Sequence, residues 1–120
     1  MCIRDRRAFS LAALGRHDRA IDDYTEALRL RPNEPTFHFN RGNSFVAKGD
    51  SDRAIADFTT YIKVKPDEFV GYMNRANAYA QKKEDAKALA DINECLRIKP
   101  DFGPALTFRG MLLELSLIHI

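Results

Sequence analysis

Three stretches of the chain superimpose without gaps at a spacing of 34 residues: DRAIDDYTEALRLRPN (18–33), DRAIADFTTYIKVKPD (52–67) and AKALADINECLRIKPD (86–101). Ala20, Ala54 and Ala88 share one column, and Tyr24, Phe58 and Ile92 another. Leu28, Ile62 and Leu96 share a third, and Pro32, Pro66 and Pro100 a fourth. The segments ahead of them keep the register: RRAFSL (6–11), NRGNSF (40–45), NRANAY (74–79) and FRGMLL (108–113). A period of this length marks a stack of supersecondary units, and one unit cannot bury its own apolar face without a neighbour.

Each unit reads as two helices. In the second, a first helix is expected from Pro35 or Thr36 to Ala47, since proline suits a first helical turn, where its missing N–H is no loss. Lys48-Gly49-Asp50 is the turn, with Gly49 free to take a left-handed cap. Ser51 or Asp52 is the expected cap of a second helix that runs to about Lys65, where Pro66 stops it. Apolar residues at 54, 55, 58 and 62 fall at helical spacing. The third unit has Lys83 where the second has Gly49, which weakens its turn signal. Gly42, Ala76 and Gly110, like the three aligned alanines, are small where paired helices must approach closely.

The spacing, the small eighth residue of each unit and the A…F/Y…A…P pattern resemble tetratricopeptide (TPR) repeats over 7–114. The resemblance implies an all-α, right-handed α-solenoid of antiparallel helix pairs. The expected organisation is unit one at 7–33 with a truncated first helix, unit two at 34–67, unit three at 68–102 and the first helix of a fourth at 103–114. Two departures stand out. The family's first-helix tryptophan position carries His38, Tyr72 and Leu106, and a small second-helix position holds Tyr61 and Cys95. Pentatricopeptide repeats, which read RNA, share the helix-pair plan, but the period of 34 and the near-neutral charge argue against them.

By that resemblance the first helices line a concave groove. Its positions are Phe39, Asn40, Asn43 and Val46 in unit two, and Met73, Asn74, Asn77 and Gln81 in unit three. Asn40 and Asn43 are three apart and share a helix face, as do Asn74 and Asn77. An asparagine amide both donates and accepts, so it can hold the backbone of an extended peptide without reading its sequence. Phe39 and Met73 are expected to add apolar contact. Chaperone-binding members of the family grip a C-terminal carboxylate with asparagines and cations at set positions. Asn43 and Asn74 match the asparagines, but the cation positions hold Phe39, Pro104 and Phe108. In the alternative register Phe9 replaces an asparagine, and Val70 and Asn74 replace cations. Neither supplies the charge that a carboxylate needs.

Arg7, Arg41, Arg75 and Arg109 are 34 apart, and Asp23, Asp57 and Asp91 each follow an arginine by 16 residues. Antiparallel helices joined near residue 49 bring 41 and 57 to one height. Ion pairs Arg41–Asp57 and Arg75–Asp91 are therefore expected, with Arg7–Asp23 if the first helix is intact. His17 and His38 have no nucleophile or carboxylate at a telling spacing and read as structural. Cys95 lies on an apolar helix stripe, and Cys2 and Cys95 show no metal-ligand spacing. No phosphate loop or nucleophile elbow occurs, so neither an enzyme nor a cofactor is implied.

A net charge of +2 points to neither nucleic acid nor a membrane surface, and MLLELSLIHI (111–120) is too short and too broken by Glu114 to span a bilayer. The ends look foreign. LSLIHI (115–120) can be encoded by a DNA whose reverse complement, read one base along, encodes Met-Cys-Ile-Arg-Asp and then a codon that can be arginine; the chain begins MCIRDR. This resembles a sequencing-library transposase adapter, so 1–6 and 115–120, His119 included, are expected to be adapter read-through. The expected function is a protein–protein interaction module that docks an extended peptide or a helix in the groove. Two other readings stay open: a non-catalytic segment of a larger enzyme, such as a glycosyltransferase or kinase, and a module that self-associates through Leu106, Met111, Leu112 and Leu113.

Overall fold

The computed structural model describes residues 3–118, with side chains described over 15–115. Among them the chain forms six α-helices and no strand: α1 (Ile3–Leu30), α2 (Pro35–Lys48), α3 (Ser51–Val64), α4 (Phe69–Gln81), α5 (Asp85–Ile98) and α6 (Gly103–Ile118). Each packs on the next along the chain, and α2 also touches α4. This is an all-α solenoid of helix pairs.

The connections repeat as the sequence does. After each proline-stopped helix the same backbone bond recurs: Glu34 N–H to Arg31 C=O at 3.3 Å, Glu68 to Lys65 at 3.3 Å and Phe102 to Lys99 at 3.2 Å. Within units two and three the turns are the same two-bond cap. Gly49 N–H donates to Val46 and Asp50 N–H to Phe45, at 3.0 and 2.8 Å; Lys83 donates to Ala80 and Glu84 to Tyr79, at 3.0 and 2.9 Å. Gly49 takes φ 84°, which costs glycine nothing. Lys83 takes φ 65° at the same place and bears the side-chain strain. The cap of α3 is Asp50 rather than Ser51 or Asp52: its carboxylate accepts from Arg53 N–H at 3.4 Å, and both expected caps lie inside the helix.

Unit one departs from a helix pair. α1 runs unbroken from Ile3 to Leu30, through Gly15, where units two and three turn. Arg16 occupies the register position of Asp50, and a guanidinium has no acceptor with which to cap a second helix. The expected Arg7–Asp23 pair falls on α1, and only one of its two side chains is among those described. The side chains of Arg7 and Phe9, together with Cys2 and His119, lie outside the described residues.

Two buried clusters make the core. Phe45, Ala54, Phe58 and Ala78 join units two and three. Ala76, Ala88, Ile92, Cys95, Leu96, Ala105 and Leu112 join unit three to α6. Small residues set the helix separation: a Cβ on Gly42 would sit 2.7 Å from Phe58 Cε1, so only glycine lets that ring lie flat on α2. Tyr61, large for its family position, is accommodated by Gly71 on α4, where a Cβ would stand 2.9 Å from Tyr61 Cδ1. The corresponding place against Cys95 needs no glycine, because the thiol is small; Ala105, the register equivalent of Gly71, is fully buried.

Candidate functional site

Helices α2 and α4 lie side by side and bring their asparagines together. Asn74 Nδ2 donates to Asn43 Oδ1 at 2.9 Å, across 31 residues of sequence. Asn43 and Asn77 are exposed, and Asn40 and Asn74 are half-buried. The Asn43–Asn74 bond leaves Asn43 its NH2 and Asn74 its carbonyl oxygen. The strip therefore offers both donors and acceptors and carries no charge of its own.

The apolar partners are placed differently from the asparagines. The Phe39 ring packs against Tyr61 at 4.8 Å and Phe58 at 5.9 Å, so much of it serves the core of its own unit. Met73 is half-buried against the second cluster. Gln81 is committed to the scaffold: its Nε2 donates to Val46 C=O at 3.1 Å, and its Oε1 accepts from Ser51 Oγ at 2.6 Å. It ties α4 to the end of α2 and the start of α3.

The neighbouring arginines serve the packing between helices instead. Arg41 Nε and Nη2 donate to Asp57 Oδ2 and Oδ1 at 2.8 and 2.7 Å, and Arg75 repeats the fork on Asp91 at the same two distances. Both carboxylates are buried, with relative exposures of 3% and 6%. Hydrogen bonding to Asp57 raises the Arg41 pKa above its ordinary value against the opposing pull of burial, and Asp91 does the same for Arg75. Each guanidinium also reaches back one unit: Arg41 Nη1 to Thr25 Oγ1 at 3.2 Å, and Arg75 Nη1 to Thr59 Oγ1 at 3.3 Å. One fork thus joins three helices.

Several partners escape a reading of the sequence. His38 does meet a carboxylate: Nδ1 lies 3.1 Å from Asp57 Oδ1, and Nε2 lies 3.2 Å from Pro32 C=O. Asp57 is 19 residues on, across the turn, so local spacing does not announce it. The inter-unit ties Lys48–Asp18 and Lys82–Asp52 are also missed, although they repeat at 34 and the register could have revealed them. Cys95 is fully buried, and burial pushes its thiol pKa up, which suits packing rather than chemistry. No described helix is long and apolar enough to cross a membrane.

Against known families, residues 10–49 match the model described as TPR repeat, and residues 39–101, just over half of the 120-residue chain, match the model described as tetratricopeptide repeat. The chain belongs to the tetratricopeptide-repeat family. Several solved structures share its fold. One is the first TPR of Spaghetti (RPAP3) bound to the HSP90 peptide SRMEEVD, with TM-score 0.82 and 19% identity over 93% of this chain and 89% of that one. Another is the second TPR domain of human RPAP3 in complex with the HSP70 peptide SGPTIEEVD, with TM-score 0.77 and 19% identity over 90% of each chain. MamA from Desulfovibrio magneticus superimposes with TM-score 0.82 and 18% identity over 90% of this chain and 61% of that one. No curated protein matches the sequence.

Proposed function

We propose that this TPR chain is a non-catalytic protein-interaction module that holds a neutral, extended peptide along Asn40, Asn43, Asn74 and Asn77. The observation that carries the reading is the Asn74–Asn43 bond at 2.9 Å. It lines up unspent amide groups from two units on one exposed strip, at a spacing that follows the solenoid. Amides of this kind satisfy a peptide backbone and leave side-chain choice to the margins, where the exposed parts of Phe39 and Met73 add apolar area.

The RPAP3 relatives are named with acidic peptides that end in Glu-Glu-Val-Asp. At the positions where a carboxylate clamp needs cations, this chain has Phe39, Pro104 and Phe108. An acidic tail would lose its hydration there without gaining a charge partner. The ligand of this groove is therefore a backbone-recognised segment without a terminal carboxylate requirement.

A peptide array with neutral, basic and acidic-tailed decamers tests this. The strongest binders should be neutral and should bind equally well when amidated at the C-terminus. The variant Asn43→Ala/Asn74→Ala should weaken the best of them about tenfold, roughly 1.4 kcal/mol, with the melting temperature nearly unchanged. Equal binding by the variant, or binding that depends on an acidic tail, would sink the proposal.

A further inference from the structure

Units two and three offer a ligand similar groups one step apart. Asn74 Nδ2 donates to Asn43 Oδ1 at 2.9 Å, and Gln81 Nε2 donates to Val46 C=O at 3.1 Å. These two ties hold α2 and α4 side by side, and helices in side-chain contact lie about 8–10 Å apart, axis to axis. Phe39 and Met73 occupy the same place in successive units, and both are half-buried, so each shows part of its side chain. A ligand that meets both units in the same way must repeat its own side chains at that step.

Regular backbones differ in how they meet such a step. A β-strand advances about 3.3 Å per residue and alternates its faces, so like-facing side chains fall about 7 or 13 Å apart, to either side of it. An α-helix spends its N–H and C=O groups on itself and leaves an amide strip little to bond. A polyproline II helix advances about 3.1 Å per residue with three residues per turn, so every third side chain faces the same way about 9 Å further on. It has no internal hydrogen bonds, and its carbonyls stand open to donors. The Asn43–Asn74 bond uses one N–H of Asn74 and leaves both N–H groups of Asn43 for such carbonyls. Proline, which has a carbonyl and no N–H, loses nothing on a strip that supplies donors.

We propose that the ligand of this strip is a proline-rich polyproline II segment of a partner protein, with an apolar side chain at every third position, one over Phe39 and the next over Met73. This rests on the asparagine strip as the docking surface and adds the conformation and spacing of what docks there. Residues between the apolar positions meet the amides through their backbone or face away from α2 and α4, so proline is accommodated among them. Proline also fixes φ before binding, so less freedom is lost on docking. A partner of this class is recognised by its period.

Fluorescence anisotropy on the full chain tests the spacing. The probes are three neutral, amidated, proline-rich decamers of equal composition, each with a pair of leucines placed two, three or four positions apart. The peptide with leucines three apart should bind about tenfold more tightly than the other two. Replacing its prolines by glycine keeps the spacing, removes the preset φ and should weaken binding about fivefold. Equal binding at the three spacings, tightest binding at two or four, a glycine peptide that binds as well as the proline one, or no binding by any of them would overturn the proposal. The asparagine strip is tested apart from it with Asn43→Ala/Asn74→Ala. If that variant weakens the tightest peptide whatever its spacing, the strip stands and only the polyproline ligand falls. If it binds that peptide like the wild type, the docking surface is wrong and both fall.

Discussion

Units two and three solve the same packing problem with different residues. Asp57 takes the Arg41 fork and also His38, whereas Asp91 has the Arg75 fork, with Tyr72 at the histidine's register position offering only its ring to the guanidinium, 6.0 Å from the centroid. Unit two lays Phe58 on a glycine; unit three sets the smaller Ile92 near an alanine. Unit two turns on Gly49, unit three on a strained lysine. The backbone plan is constant because the hydrogen bonds of the turns and linkers are main-chain bonds. The side chains vary in compensating sets, a larger ring with a smaller floor, so substitutions are tolerated as pairs and penalised singly.

The largest test of this comparison removes the buried carboxylates. Asp91→Ala should cost about 3 kcal/mol, because it strands a half-buried guanidinium, and Asp57→Ala about 1 kcal/mol more, because His38 loses its partner as well. Replacing His38 by tyrosine, the residue of unit three, should make the two losses equal. Urea unfolding of the four variants measures this, and a gap that survives the His38→Tyr change would remove histidine from the account.

A smaller effect is expected at the helix crossing. Gly42→Ala pushes a methyl into the Phe58 ring and should cost about 2 kcal/mol. Adding Phe58→Ile should recover much of that loss, since it recreates the pairing of unit three. If the double variant is less stable than the sum of the single changes, the two residues do not share one constraint.

The smallest effect belongs to the turns. Lys83→Gly should stabilise the chain by about 0.5–1 kcal/mol by relieving a left-handed lysine, and Gly49→Lys should destabilise it by a similar amount. Thermal melts of the two variants should move in opposite directions. Movement in the same direction would mean that the two turns do not share a conformation in solution.

Much of the scaffold is legible because its signals are local or periodic. Proline stops, the Gly49 turn and the apolar stripe each need only a few neighbouring residues to be read. The repeat then copies one unit's reading onto the next. The failures have a common physical origin. His38 finds Asp57 across a turn, and Gln81 spends both ends of its amide on two other helices, neither of which local spacing reports. Asp50 displaces Ser51 and Asp52 as a cap because the helix starts earlier than composition suggests, with Ser51 already in its first turn. Unit one keeps the repeat pattern but not the helix pair, since α1 runs on through Gly15, where the next units turn.

By itself the 34-residue period determined that this chain is an all-α stack of helix pairs, because periodic small and large apolar residues leave no other way to bury a continuous core. It also set out the column of asparagines as a series of positions. Only the tertiary structure decided what each of those positions is free to do. It joined Asn43 to Asn74 and turned Phe39 inward onto Tyr61. Hydrogen-bond partners and open faces depend on which helix lies alongside, and that is fixed by packing across units rather than by spacing within one.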